Sequence, residues 1–169
     1  AFETYEAALG LDAGDDELRS RYAQVATALE RPLDAARTLG RVGMMVKEPA
    51  VRSRLSAELG ELLLAGGDVK KARATFVALL AAEGADPAAT LRASRALLDI
   101  YDPAREGAAV AEALERIVRL EPDDDLRQET AERLAAIYEG SDALRPKAIG
   151  AWEALLETRG RRRALEALI

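Results

Sequence analysis

The stretch Gly67 to Pro87, GDVKKARATFVALLAAEGADP, decides how the rest of the chain is read. It holds a Gly-Asp turn, a helical segment with Ala72, Phe76 and Leu79 on one face, and a Gly/Asp/Pro stop. An alanine followed four residues later by a ring lets a neighbouring helix approach at the alanine while the ring fills the gap beside it. The same order recurs along the chain. Equivalent small residues fall at Ala1, Ala35, Ala72, Val110 and Ala148, at intervals of 34, 37, 38 and 38 residues. Four residues beyond each stand Tyr5, Leu39, Phe76, Leu114 and Trp152, and seven beyond stand Ala8, Val42, Leu79, Ile117 and Leu155. One helix face thus carries the same succession of contacts five times, the mark of a repeat array.

Composition suits such an array. Of 169 residues, 49% are hydrophobic and only 4% aromatic, so Ala, Leu and Val must fill the core and the helices must pack closely. Alternating apolar and polar runs bounded by hairpin turns are lacking, which predicts an all-α fold. The chain has no cysteine and no histidine, excluding disulfides, thiol and imidazole catalysis and Cys/His zinc sites within it. A net charge of -6 and a pI near 4.9 argue against nucleic acid as the main partner, because phosphate contacts need a surplus of Lys and Arg. No apolar run is long enough to span a membrane and no targeting segment is seen, so a soluble protein is expected.

Turn and cap signals divide the chain into a leading helix over 1–10, helix pairs over 15–46, 49–84, 86–121 and 123–158, and a last helix over 160–169. That makes about nine or ten helices in one array. The first pair carries Leu18, Tyr22, Val25, Ala26 and Leu29, then Leu33, Ala35, Ala36, Leu39 and Val42, as its inward stripes. The second carries Val51, Leu55, Leu59, Gly60, Leu62 and Leu63 before the opening stretch. The third has Leu91, Ser94, Leu97, Leu98 and Tyr101, and after Asp102-Pro103 a helix with Val110, Leu114, Ile117 and Leu120. The fourth has Leu126, Leu134, Ile137 and Tyr138, then Ala148, Trp152, Leu155 and Leu156. Acidic runs at Asp15 to Glu17 and Asp123 to Asp125 stand where helices begin and read as caps, lacking the alternating ligands and central Gly of a calcium loop.

The pattern resembles the tetratricopeptide repeat, a helix pair of about 34 residues. In that family helix A places a small residue between Leu and Tyr, and helix B carries Ala, an aromatic and a closing Pro. The second pair fits best, with Leu59, Gly60 and Leu63 in helix A and Ala72, Phe76 and Leu79 in helix B. In the third, Leu97, Tyr101 and Pro122 fit while Leu98 replaces the small residue; in the fourth, Leu134, Ala135 and Tyr138 fit. The first departs more, with Tyr22, Ala23 and Ala26 at the helix A places and Leu39 for the aromatic, and the family's helix A Trp is lacking throughout. The resemblance implies a right-handed α-α superhelix, or solenoid. The chain opens with a helix B and closes on RRRALEALI, a helix A or a cap, so a fragment of a longer array is expected.

In tetratricopeptide proteins the helix A faces line a groove that binds peptides, extended segments or helices. Carried over, the resemblance implies a groove formed by Arg21 and Gln24, by Arg54, Glu58 and Glu61, by Arg92, Arg95 and Asp99, and by Glu129, Glu132 and Arg133. Each set shares one helix face. The competing reading is plain solvation, with Arg54–Glu58, Arg95–Asp99 and Glu129–Arg133 as i,i+4 pairs worth about 0.2–0.5 kcal/mol each. A chaperone-tail clamp is not expected, since Ser20, Gln24 and Glu58 stand where that clamp uses Lys or Asn. With no nucleophile-base set, phosphate loop or metal set in the sequence, the reading predicts no catalytic, cofactor-binding or metal residues. It predicts a protein or peptide partner, with an assembly element that stacks or self-associates through its unfinished ends, or the regulatory part of a larger enzyme, as the alternatives.

Overall fold

Asp15 opens the best-defined helix start: its Oδ1 accepts hydrogen bonds from the backbone N–H groups of Glu17 and Leu18 at 2.9 and 3.0 Å. The helix it caps, α2, runs Asp16–Ala28. Asp123 does the same for α8, Asp124–Glu139, and Asp68 accepts from Lys71 N–H at the start of α5, Val69–Leu80. Proline takes the first turn of α3, Pro32–Gly43, and of α4, Pro49–Ala65, where the missing N–H would have had no helical partner. The others are α1, Phe2–Leu11, α6, Pro87–Ile100, and α7, Gly107–Leu120. This computed structural model describes residues 2–140 with Lys147 and Gly150; among them the chain is all-helical, with eight helices and no strand.

The turns inside the first two helix pairs, α2–α3 and α4–α5, share one chemistry. After α4, Asp68 N–H donates to Leu63 O and Gly67 N–H to Leu64 O, both at 2.9 Å, with Gly67 left-handed at φ 80°. After α2, Arg31 N–H donates to Ala26 O and Glu30 N–H to Thr27 O, with Glu30 at φ 54°. Both are Schellman closures, and they stand at equivalent places in successive pairs.

The residues form two compact units, Ala1–Ala96 and Leu97–Ile169, so the boundary falls inside α6. In the first, α4 packs against both α3 and α5, α2 against α3 and α4, and α1 against α2 and α3. Its core includes Tyr22, Ala26, Ala35, Leu39, Leu55, Ala57, Ala72 and Phe76, all buried. The ring of Phe76 lies hard against Gly60, where an added Cβ would stand 2.3 Å from Cε1. In the second unit Val110, Ala111 and Leu114 of α7 pack on Ala131, Leu134, Ala135 and Tyr138 of α8, with Leu98 and Tyr101 against them.

Several expectations need correction. The third pair's second helix starts at Gly107, not directly after Asp102-Pro103, because Asp102 O accepts from the N–H groups of Arg105 and Glu106 and holds a turn there. The helix from Pro32 stops at Gly43, short of residue 46, and α1 continues through Gly10 to Leu11. Leu29, Leu33 and Leu126, expected inside, are 52%, 40% and 47% exposed. Leu29 lies past the last turn of α2 and Leu126 in the first turn of α8, where the neighbouring helices no longer cover them. Ala1, Ala148, Trp152, Leu155, Leu156 and the expected last helix lie outside the described residues.

Candidate functional site

A groove of about 930 Å³ opens in the first unit, bounded by α2, α4 and the beginning of α6. Small side chains leave the room: Ser20, Ala23, Thr27 and Ala28 from α2 and Ala65 from α4, with Leu62 as the larger apolar wall. Charged groups gather along the rest of the lining, Asp16 from α2, Arg54, Glu58 and Glu61 from α4, and Arg92 from α6. Helical spacing explains the sharing of one face, since 54, 58, 61 and 65 recur at three and four residues.

Of the expected groove residues, Gln24, Arg54, Glu58, Glu61 and Arg92 therefore line one cavity. Arg21 does not; it is exposed and its Nη2 donates to Glu17 Oε1 at 2.6 Å. Arg95 is exposed on α6 and outside this lining. Asp99, Glu129, Glu132 and Arg133 belong to the second unit, where Glu132 accepts from Gln128 Nε2 at 3.2 Å.

The charges that α4 and α6 bring to the groove pair with other segments rather than along their own helix. Arg92 donates from Nε and Nη2 to the two oxygens of Glu61 at 2.9 and 2.5 Å, a bidentate fork linking α6 to α4. Arg54 reaches Asp16 Oδ1 with Nε at 3.3 Å and Asp86 Oδ2 with Nη1 at 3.7 Å. The partner of Glu58 is Arg19, whose Nε lies 3.2 and 3.0 Å from the two carboxylate oxygens. The expected Arg54–Glu58 pair is thus replaced by longer-range partners for both.

Arg19 is the residue sequence reading overlooked. Its side chain is fully buried and also donates from Nη1 to Ala13 O at 2.5 Å and from Nη2 to Asp16. A signal was present: Arg19, Tyr22 and Ala26 stand at helical spacing on the buried side of α2. Its identity as a charge hid it, because a lone arginine is seldom placed in a core. Glu58 above it is 12% exposed. Burial raises its carboxyl above the ordinary carboxylate range, against the pull of Arg19, and the neighbouring Glu61 adds to the rise.

A second polar cluster holds α1 to α2 and α3. Tyr22 OH and Thr38 Oγ1 both donate to Glu6 Oε1, at 2.9 and 2.7 Å. The Thr38 bond is the main cause that lowers the Glu6 carboxyl, while burial pushes the Tyr22 phenol up to about 12. Among the described residues no group of three or more carboxylates is arranged to hold a metal ion, and no helix is long and apolar enough to cross a membrane. Comparison with protein-family models, with curated proteins and with solved structures gives no match to this chain.

Proposed function

We propose that this chain is a non-enzymatic protein-interaction scaffold, a right-handed solenoid of tetratricopeptide-like helix pairs that holds a segment of a partner protein against its helix A faces. The observation that carries the reading is the groove of about 930 Å³ on α2, α4 and α6, lined by five of the residues expected there. These three helices are the first members of successive pairs, so the groove lies on the face that the tetratricopeptide resemblance gives to ligands. Further support comes from the repeated Schellman turns and from the close approach of Phe76 to Gly60, the small residue of helix A.

The test is to fill the groove without touching the core. Ala28 and Ala65 are exposed and line it. The double substitution Ala28→Trp/Ala65→Trp should leave the melting temperature near wild type and weaken a pulled-down partner by about tenfold or more. Undiminished capture by the folded double variant would remove the groove from the function.

A further inference from the structure

The carboxylates of the groove are less fully matched than a list of ion pairs suggests. Asp16, Glu58 and Glu61 of the lining, with Asp86 beside it, face three guanidiniums, those of Arg19, Arg54 and Arg92. Arg92 spends its fork on Glu61, and Arg54 stands at 3.3 and 3.7 Å from Asp16 and Asp86, with its buried Nε making no hydrogen bond. Glu58 receives a single N–H, that of Arg19 Nε, shared between its two oxygens. A carboxylate has about four acceptor sites, so Glu58, with both oxygens on one N–H, can still accept from a group in the groove. Beside it the lining turns uncharged, through Ala23, Thr27, Leu62, Ala28 and Ala65.

We infer that the occupant of the groove is a cationic protein segment, bringing a lysine or arginine to Glu58 and small alkyl side chains to the alanine-lined end. This rests on the scaffold reading above and adds the partner's chemistry. A cation seated beside Glu58 forms charge-assisted hydrogen bonds to acceptor sites that Arg19 leaves open, next to Glu61, whose oxygens Arg92 holds. The net charge of -6 steers such a segment toward the chain and repels an acidic one.

Selection from a displayed library of random peptides tests it, with the wild-type chain, Glu58→Gln, Glu61→Gln and Ala28→Trp/Ala65→Trp as baits. Glu61 is 44% exposed, so Glu61→Gln keeps its fold even where Glu58→Gln, which leaves the buried Arg19 with Asp16 as its remaining carboxylate, does not. The wild-type chain should enrich peptides with Lys or Arg next to small apolar residues. Either glutamine variant should weaken them by about tenfold or more, an amount fitting one charged hydrogen bond. Enriched peptides that are neutral or acidic, or that bind the glutamine variants as tightly as wild type while still lost from the tryptophan variant, overturn the cationic inference and leave the scaffold reading standing. A selection in which the tryptophan variant loses nothing overturns the scaffold reading itself.

Discussion

Two glycines of α4 and its cap show how burial decides what a single methyl costs. At Gly60 a Cβ would meet three ring atoms of Phe76 at 2.3–2.8 Å, and that ring is fully buried with nowhere to retreat. At Gly66 a Cβ would meet Leu33 Cδ2 and Cγ at 2.4 and 2.5 Å, but Leu33 is 40% exposed and its side chain can turn into solvent as a whole. Urea denaturation should therefore find Gly60→Ala destabilised by about 1–3 kcal/mol despite alanine's better helix propensity. Gly66→Ala should stay within about 0.5 kcal/mol of wild type. Equal losses at the two positions would show that Phe76 yields as easily as Leu33. The tetratricopeptide resemblance had put Gly60 and Phe76 at packing places of helix A and helix B without setting one against the other. The exposure of Leu33 was hidden because its apolar character fits the inward stripe equally well.

Among the elements, the paired turns supply a matched comparison. Gly67 and Glu30 occupy the same left-handed position of the same Schellman closure, at φ 80° and 54°. Glycine adopts this conformation freely, whereas a side chain with a Cβ is strained by roughly 1 kcal/mol. Glu30→Gly should accordingly raise stability by about 0.5–1 kcal/mol and Gly67→Ala lower it by a similar amount, both read from denaturation midpoints at an unchanged m-value. The helices themselves were legible because caps, prolines and periodicity agreed over Asp16–Ala28, Pro49–Ala65 and Asp124–Glu139. The start of α7 was not: Asp102-Pro103 has the chemistry of a helix opening, yet the backbone bonds to Asp102 O spend it on a turn. A proline after an acidic residue serves either use, and only the packing of Val110 and Leu114 fixes where the helix can begin.

For the molecule as a whole, the buried phenol of Tyr22 links folding to alkaline pH. Its pKa is raised from 10.0 to about 12, so folding disfavours the phenolate. The contribution is fully present below the unfolded value near 10 and is lost as pH rises through the folded value near 12. Stability measured by denaturation should fall across that window by an amount on the order of 2 kcal/mol from this residue. Tyr22→Phe should flatten that part of the profile, at the expense of the hydrogen bond to Glu6. A profile as steep in the variant as in wild type would assign the loss to other groups, Tyr138 among them, whose phenol is also raised by burial.

The sequence by itself determined the all-helical fold, most helix limits and the faces that pack, because periodicity, caps and small residues are local and each limits the backbone directly. Spacing of three and four residues accounts for Arg54, Glu58 and Glu61 sharing one side of α4, whereas the joining of that side with Gln24 and Arg92 was an expectation from the tetratricopeptide resemblance alone. Only the tertiary structure decided how those charges pair. Arg19 lies under Glu58, Arg92 forks onto Glu61, and Arg54 stands between Asp16 and Asp86, across separations of about 30–40 residues that no local pattern encodes. Charge pairing depends on which helices are brought within a few ångströms of one another, and that distance is set by the size of the core side chains beneath them.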